Sequence, residues 1–437
     1  MGRVSPDLVL GAGMTGLAAG AASGLPVYEA AADPGGICSS YYMLPGGSER
    51  LREAPGQGEA YRFEVGGGHW IFGGDPVAVR FMCELAPMRR YERRSSVYLR
   101  GLDLLVPYPL QNNLRFLGVD VAQRALAEIT APAGDAPRTM KEWVRKSFGP
   151  TLAELFFDPF HALYSAGLYA TIAPQDAYKS PISVPEVVRG AFAAPAAVGY
   201  NATFLYPEEG LNTLAARMAR RADVRFGMRA ERIDLGARRV HFTGGESVPY
   251  RALIATLPLD RLVRMCGLDV GVPADPSTSV LVLNIGARRG PRCPRDHWIY
   301  TGETRAGFHR VGFYDNVDPS FVPKSEGAEL ASLYIERAYA GGQAPAEPES
   351  RAYADAVVRE LQDWGYIEDV SVVDPTWIEV AYTWAWPGSR WRNRALAALE
   401  AEGVYPVGRY GRWVFQGIAD SIRDGLFAGS AFRAVAG

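Results

Sequence analysis

The 437-residue sequence has few cysteines and no long hydrophobic run. Its four cysteines, Cys38, Cys83, Cys266 and Cys293, are far apart and form no CxxC pair, which argues against a disulfide framework or a thiolate metal site. No stretch approaches the roughly 18 apolar residues of a membrane span. The first apolar strand begins within ten residues of Met1, which leaves no room for a signal peptide. We therefore expect a cytoplasmic protein with no membrane partner and no bound metal.

The sequence also lacks an excess of charge of either sign. Its formal net charge is −2, with 22% charged and 48% hydrophobic residues, which is the composition of an ordinary globular protein. Without a basic field, nucleic acid is not expected as a partner. The arginine cluster at 89–94 is interpreted as a solvated loop or helix end. A chain of this length can form two or three domains with a substantial core.

Groups for side-chain catalysis are sparse as well. There are five histidines, and we find neither a Ser/His/Asp arrangement nor a pair of carboxylates with the spacing of a general acid and base. A cofactor would therefore carry the chemistry and leave the rest of the chain to select the substrate.

Residues 8–29 indicate which kind of cofactor this is. An apolar strand at 8–10 leads into a GxGxxG turn formed by Gly11, Gly13 and Gly16, and an alanine-rich helix and Glu29 follow. Gly11 permits the tight turn, Gly13 lets the backbone approach a pyrophosphate, and Gly16 lets the helix pack close to the strand. The helix N-terminus faces the anion, and Glu29 is placed to accept hydrogen bonds from a ribose. The pattern predicts an adenine-dinucleotide site.

The rest of the chain alternates between helical and strand patterns. We predict helices over 120–129, 140–148, 152–157 and 420–432, and strands over 250–258, 279–285, 307–314 and 331–338. The expected fold is α/β, with a Rossmann-type cofactor domain built from 1–75, 203–275 and 400–437. A substrate domain with a mixed antiparallel sheet and a helical insertion would come from 76–202 and 276–399.

Two further segments resemble flavoproteins of the amine-oxidase type. Asp33-Pro34-Gly35-Gly36 is similar to their second phosphate-proximal loop, and Gly408-Arg409 resembles the element that closes over the flavin. The C-terminal helix would then direct its positive N-terminal dipole at the flavin pyrimidine. The resemblance favours FAD over NAD.

Within that superfamily the sequence resembles the UDP-galactopyranose mutases, particularly the eukaryotic ones. The matching segments are Gly67-Gly68-His69, Val106-Pro107-Tyr108-Pro109-Leu110-Gln111-Asn112-Asn113, Asn201-Ala202-Thr203-Phe204, Trp298-Ile299-Tyr300 followed by Arg310, and Gly408-Arg409-Tyr410-Gly411-Arg412-Trp413. They follow the family's order and span about residues 8 to 430.

The resemblance implies a pyranose–furanose mutase acting on a nucleotide sugar. Reduced FAD would be the nucleophile through N5, with no net redox change, and NAD(P)H is a possible external reductant. His69 would tune the flavin, Arg310 and Arg409 would hold the leaving phosphate, and Asn201, Trp298 and Tyr300 would contact the sugar. The implied flavin contacts are Gly11, Gly13, Met14, Thr15, Gly16, Glu29, Gly35, Gly36, Gly67, Gly68, His69, Gly408, Arg409 and Ile422. The implied substrate contacts are Tyr108, Gln111, Asn201, Trp298, Tyr300, Arg310, Trp386 and Phe415.

Some segments depart from the family and leave alternatives open. Trp386 and Phe415 replace two tyrosines that grip the diphosphate, and residues 159–165 replace a nucleotide-stacking segment. Residues 166–169 look more like protoporphyrinogen oxidases. The alternative activities are an amine-oxidase-type oxidase or dehydrogenase, which removes a hydride from a C–N or C–C bond, and a non-catalytic flavin-binding role.

Single residues also have other interpretations. Arg310 could be a solvent-facing strand residue, and Arg409 a structural salt-bridge partner. Trp298 and Tyr300 could be core aromatics, and Asn201 a turn residue. The sequence does not decide the oligomeric state.

Overall fold

The computed structural model describes residues 7–131, 135–175, 182–193 and 202–433. Its strands are β1 (Leu8–Leu10), β2 (Pro26–Tyr28), β3 (Ser40–Met43), β4 (Tyr61–Glu64), β5 (Ile71–Phe72), β6 (Met88–Glu92), β7 (Ser95–Leu99), β8 (Leu104–Pro107), β9 (Thr203–Pro207), β10 (Asp223–Arg225), β11 (Ala230–Asp234), β12 (Arg239–Phe242), β13 (Ser247–Pro249), β14 (Leu253–Ala255), β15 (Ser277–Arg289), β16 (Trp298–Tyr300), β17 (Arg310–Phe313), β18 (Leu330–Tyr339), β19 (Ile367–Thr383) and β20 (Val404–Pro406). Its α-helices are α1 (Met14–Ser23), α2 (Pro76–Leu85), α3 (Val119–Ile129), α4 (Met140–Leu152), α5 (Asp158–Tyr164), α6 (Val184–Phe192), α7 (Leu211–Ala219), α8 (Leu259–Met265), α9 (Tyr314–Val317), α10 (Glu347–Asp363), α11 (Trp391–Ala401), α12 (Gly408–Gly411) and α13 (Ile418–Ala431).

A five-stranded parallel sheet forms the first half of the fold. Its strand order is β10-β2-β1-β14-β20, and each strand pairs with its neighbours in parallel. β1 is fully buried, as expected for a parallel strand that is covered on both faces. Helix α1 packs so closely on α13 that a Cβ on Gly425 would lie 2.2 Å from the Thr15 carbonyl oxygen. The carboxyl ends of β1 and β14 are adjacent and bring the glycine turn beside residues 256–258.

A seven-stranded sheet forms the second half. Its order is β19-β15-β18-β17-β16-β7-β8, antiparallel except where β16 pairs with β7. Alternate residues of β15 face opposite sides: Val280 and Val282 join the core next to the parallel sheet, whereas Leu281 and Leu283 pack under helix α10. Smaller sheets are β3-β4, β5-β9-β6 and β11-β12-β13.

Helices α3 to α6 cluster beside the seven-stranded sheet. Gly149 interrupts α4 with φ +74°, and a Cβ there would lie 2.5 Å from the Cβ of Glu128. The Glu128 carboxylate accepts the Thr151 N–H at 2.8 Å and so caps the helix where it resumes. A π-helical turn over Ala153–Phe157 then leads into α5.

The predicted α/β class, with a Rossmann-type sheet and a mixed antiparallel and helical second part, is confirmed. The predicted strand over 307–314 is too long: Gly307 has φ +82°, and Tyr314 already begins α9, so β17 is shorter. The predicted helix at 140–148 continues past Gly149 into the π turn. The domain limits stay a prediction. None of the helices in the described ranges is long and apolar enough to cross a membrane.

Candidate active site

The turn between β1 and α1 opens onto a cavity of about 590 Å³. Gly11 has φ +94°, and a Cβ on it would lie 2.4 Å from the Thr256 hydroxyl oxygen. A Cβ on Gly16 would lie 1.8 Å from the Gly11 carbonyl oxygen, so only glycine permits this helix–turn contact. Gly13 caps α1 without a side chain, and the first turn holds no acidic residue. The free amides of that turn therefore remain available to an anion in the cavity.

Glu29 and the turn at 35–36 complete this end of the cavity. The Glu29 carboxylate accepts the Ala12 N–H at 2.6 Å and the Ala31 N–H at 2.7 Å, which fixes it in the cavity wall. Gly35 pairs with Gly13 in a parallel bridge. A Cβ on Gly13 would meet nothing within 4 Å, so the space beside the helix is open. An open glycine cradle, unpaired amides and a fixed carboxylate fit the pyrophosphate and ribose of an adenine dinucleotide.

The segment Gly66–His69 forms the next part of the wall, and it is tightly packed. A Cβ on Gly66 would lie 2.3 Å from His69 Cε1, and one on Gly68 would lie 2.2 Å from the Tyr334 hydroxyl oxygen. Gly66 and Gly68 therefore serve close packing. Gly67 faces Glu336 rather than the cavity. Burial and the charge of Arg409 lower the pKa of His69 to about 4, so its ring is neutral near pH 7.

Arg310 lies in the wall with a counter-ion. Its Nη2 donates to both carboxylate oxygens of Glu336, which is 2% exposed. Burial is the largest single effect and raises the pKa of Glu336, but the charge of Arg310 together with the contacts of His309 and Arg310 lowers that pKa to about 2. The register Arg310↔Glu336 places this carboxylate on the neighbouring strand, a counter-charge that the sequence did not predict; the phosphate-holding role of Arg310 stays a prediction. Arg310 Nε is buried and has no hydrogen-bond partner among the described residues.

Trp298 and Tyr300 lie on one face of β16, and both line the cavity. The ring of Tyr300 packs on Tyr108, with 5.1 Å between centroids, and on Phe160 at 5.5 Å. Trp298 is 2% exposed, and within the described ranges no acceptor pairs with its indole Nε1. The pair offers an aromatic surface with one buried donor.

Arg409, in helix α12, also lines the cavity. Its guanidinium donates to the carbonyls of Ala381 at 2.8 Å and Gln416 at 3.1 Å, and it stacks over Phe415 at 4.6 Å. Gly408 does not line the cavity; a Cβ on it would lie 2.4 Å from the Thr15 hydroxyl oxygen. This glycine therefore lets α12 approach α1.

Six predicted site residues do not line the cavity, and one is outside the described ranges; the six are Gly16, Gly67, Gly408, Gln111, Trp386 and Ile422. Gln111 is fully buried in the short turn Leu110–Asn112, and Ile422 is fully buried in α13. Trp386 donates its indole N–H to the Ala274 carbonyl at 3.1 Å, which turns it away from the cavity. Asn201 lies outside the described residues. Of the remaining predicted residues, the cavity is lined by Gly11, Gly13, Met14, Thr15, Glu29, Gly35, Gly36, Gly68, His69, Tyr108, Trp298, Tyr300, Arg310, Arg409 and Phe415.

The far end of the cavity is a column of aromatic rings. From the sequence, residues 159–165 take the place where relatives stack a nucleotide, but these rings were not named as site residues. Phe156 stacks on Phe160 at 5.1 Å, and Phe160 stacks on Tyr164 at 5.6 Å. Their four-residue spacing puts them on one helical face, and that spacing was the available signal. His309 and Glu336 were missed too, because only strand pairing brings them into the wall.

Comparisons with known proteins agree with this architecture. Residues 25–429 match the family described as flavin containing amine oxidoreductase. A structure of reduced UDP-galactopyranose mutase has a TM-score of 0.84 at 23% identity, covering 98% of this chain and 95% of that one. Putrescine oxidase bound to putrescine gives 0.56 at 14%, covering 98% of each chain. A CLA-producing fatty acid isomerase from P. acnes gives 0.58 at 13%, covering 99% of each chain. At these identities the structural likeness is one of fold, whereas the family match spans most of the sequence. The chain belongs to the flavin containing amine oxidoreductase family, and its fold is like that of UDP-galactopyranose mutase.

Proposed function

We propose that this protein is a flavoenzyme that rearranges the ring of a nucleotide sugar between pyranose and furanose forms, without net oxidation. The observation that carries the proposal is a set of buried polar atoms in the cavity wall. Arg310 Nε, Trp298 Nε1 and both ring nitrogens of His309 have no hydrogen-bond partner among the described residues. Buried polar groups are normally satisfied, so such a set points to a ligand with several donors and acceptors. The hydroxyl groups of a sugar supply both.

The charge of the wall also favours a sugar over an amine. An amine oxidase substrate that enters as an ammonium ion benefits from a free carboxylate. Here the carboxylate nearest the aromatic end, Glu336, is already paired with Arg310. Separating a buried pair to bind an amine leaves Arg310 uncompensated, which is costly.

The residues at the α1 end are suited to hold FAD. The first-turn amides of α1 would hold its diphosphate and Glu29 its ribose, while Gly13 and Gly36 leave room for the chain of atoms between them. Bound reduced flavin supplies a nucleophilic nitrogen for the bond change at the anomeric carbon. His69, neutral and buried beside Arg409, adds no second positive charge there.

The substrate diphosphate would be held by arginine rather than by tyrosine. Arg409 lies in the cavity wall, where its guanidinium donates to the Ala381 and Gln416 carbonyls, and Arg310 offers Nε. Phe415 contributes no hydroxyl but fixes the Arg409 plane by stacking. The column of Phe156, Phe160 and Tyr164 provides faces on which a nucleobase can stack.

The test is an anaerobic assay of the purified holoprotein with a panel of UDP-, GDP-, dTDP- and ADP-hexoses. With the flavin reduced by dithionite, we expect one member to give a new furanosyl anomeric signal by NMR, at constant total sugar. With the flavin oxidised, we expect no conversion. Absence of product from every member, in protein that retains reduced FAD, would contradict the proposal.

The aromatic column also favours a second candidate, an oxidase for a small apolar substrate. The same preparation distinguishes the two activities. Oxygen uptake and peroxide release with amines or partly unsaturated rings, starting from oxidised flavin, would establish the oxidase. A mutase does not consume oxygen in proportion to product.

A further inference from the structure

His309 is a buried histidine held rigidly in the cavity wall. It immediately precedes β17, its ring is 1% exposed, and it lines the cavity. Its backbone N–H donates to the Glu336 carbonyl at 3.0 Å, and its carbonyl accepts the Thr301 N–H at 3.1 Å. The backbone therefore fixes the position of the ring, and a ligand meets it in a defined place.

The ring has aromatic neighbours but no hydrogen bond. Tyr164 and Phe160 approach it edge-on, with centroids 5.4 Å and 6.0 Å away. Both ring nitrogens are buried and have no hydrogen-bond partner among the described residues, and a Glu336 carboxylate oxygen lies 3.7 Å from Nε2. Leaving such atoms unsatisfied costs free energy, so the arrangement is favourable only when a ligand completes it.

Three ionisable groups face the ring from the elements packed on it. Glu336 on β18 lies 3.7 Å from Nε2, Arg310 follows on β17, and Tyr164 lies on α5. Burial lowers the pKa of His309 and keeps the imidazole neutral near pH 7, as a proton acceptor must be. Glu336 is placed to stabilise the cation that forms when the ring accepts a proton.

We propose that His309 is a catalytic residue that carries a proton between two oxygens of the sugar; this inference rests on the proposed function. Exchange of a six-membered for a five-membered ring removes one proton from the hydroxyl that closes the new ring. It gives one proton to the oxygen released from the old ring. The neutral imidazole has one nitrogen that donates and one that accepts, so in a single relay His309 protonates the oxygen released from the old ring and takes the proton of the hydroxyl that closes the new one. Protons and electrons then balance, and no further reactant is needed. General acid–base groups of this kind contribute roughly 10²- to 10⁴-fold to a rate.

The experiment compares reduced holoenzyme carrying His309→Gln, His309→Phe or His297→Gln. Gln can hydrogen-bond but cannot carry a proton, and Phe keeps the ring volume. His297 is the matched control, since it is also buried, at 2% exposed, yet does not line the cavity. We expect both His309 variants to lose at least 100-fold in kcat with KM changed only a few-fold. The control should stay within about twofold.

The pH profile provides a readout that a packing role would not change. Wild-type kcat should fall on the acid side with the titration of one group, because a protonated His309 accepts nothing. The residual activity of His309→Gln should lack that limb. A wild-type kcat without an acid limb overturns the inference even if the variants fail to fold.

The failures of the two proposals are distinguishable. If the wild type converts no sugar in the panel, the proposed function fails and this inference with it. If the wild type converts a sugar and His309→Gln keeps its kcat, only the proton-carrier role is overturned.

Discussion

Arg310 shows how a neighbour sets the chemistry of a single residue. Its guanidinium is held by a carboxylate that is 2% exposed, so the charge of Glu336 is shielded from water, whereas the Arg310 side chain is 20% exposed. The mutual attraction compensates their desolvation only while both are present. Arg310 can therefore bind a further anion through Nε, but it cannot be removed without leaving Glu336 as an isolated buried charge.

We expect Arg310→Met to lower the free energy of unfolding by about 3 kcal/mol, because the substitution leaves Glu336 unpaired. The double variant Arg310→Met/Glu336→Gln should recover most of that loss, although neither variant should turn over substrate. Urea unfolding of the holoproteins measures both effects. Equal stability of the single and double variants would show that the unpaired Glu336 carboxylate does not destabilise the protein, against this prediction.

A second buried carboxylate, Glu64, lies at the end of β4 without a full counter-charge. It accepts hydrogen bonds from the hydroxyls of Ser40, at 2.7 Å, and Tyr206, and its Oε2 has no partner in the described part of the chain. Burial raises the pKa of Glu64 from 4.5 to about 7, against the opposing effect of these bonds and of Arg62.

This raised pKa predicts a pH dependence of stability. Between pH 4.5 and about 7 the folded state binds the Glu64 proton more tightly than the unfolded state, so the contribution of Glu64 is present below 4.5 and is lost as pH rises to 7. As the pH rises from 4.5 to 7.5, we expect the free energy of unfolding of Glu64→Gln to increase by about 3 kcal/mol relative to that of the wild type. Chemical denaturation at the two pH values tests this. If Glu64→Gln and the wild type differ in stability by the same amount at both pH values, the prediction is wrong.

At the scale of the element, the glycine turn could be predicted and the aromatic column could not. The positive φ of Gly11 and the contact of Gly16 with the Gly11 carbonyl are local, so the spacing of the motif predicts them, whereas the contact of Gly11 with Thr256 is distant in sequence. The kink at Gly149 depends on Glu128, which lies on the preceding helix. Local periodicity therefore indicates helices at 140–148 and 152–157, but not how the second is oriented toward the cavity.

The same turn supplies a matched pair of variants. A Cβ on Gly13 would meet no atom within 4 Å, and the φ of −70° there suits any residue. The Gly13→Ala protein should therefore fold normally, while the added methyl group takes space from the flavin. Gly16→Ala would place a Cβ 1.8 Å from a backbone oxygen and should cost about 1–3 kcal/mol of stability. Thermal unfolding and the ratio of flavin to protein absorbance separate the two effects. A stable, flavin-saturated Gly13→Ala protein would argue against the cradle.

At the scale of the whole molecule, the site is assembled from segments distant in sequence. The turn after β1, the register of β17 with β18, and α12 all contribute to one cavity. The sequence motifs predicted many of these residues, because their spacing resembles that of a known family. Glu336 and His309 required the tertiary pairing of strands, and Trp386 was misplaced because its bond to Ala274 is not visible in sequence.

Because the α1 turn and Glu29 would hold the adenosine half of the flavin, a complete dinucleotide should stabilise the protein more than the flavin mononucleotide half. Above its dissociation constant, each tenfold increase in free FAD should add about 1.4 kcal/mol to the stability of the apoprotein. FMN lacks the adenosine half and should shift the melting temperature less at equal concentration. Equal shifts with FAD and FMN would mean that Glu29 and the α1 turn do not hold the adenosine half.

The interleaved parallel sheet has a consequence for synthesis on the ribosome. β1 emerges early, but its partner β14 follows only after residue 252, and β14 remains an unpaired edge until β20 appears at 404–406. Helix α13, which covers α1, follows β20. A nascent chain therefore exposes a bare strand edge and an apolar helix face for most of its translation. We therefore expect the flavin to bind late, after translation is complete. The supply of chaperones that shield strand edges should then limit the yield of holoprotein.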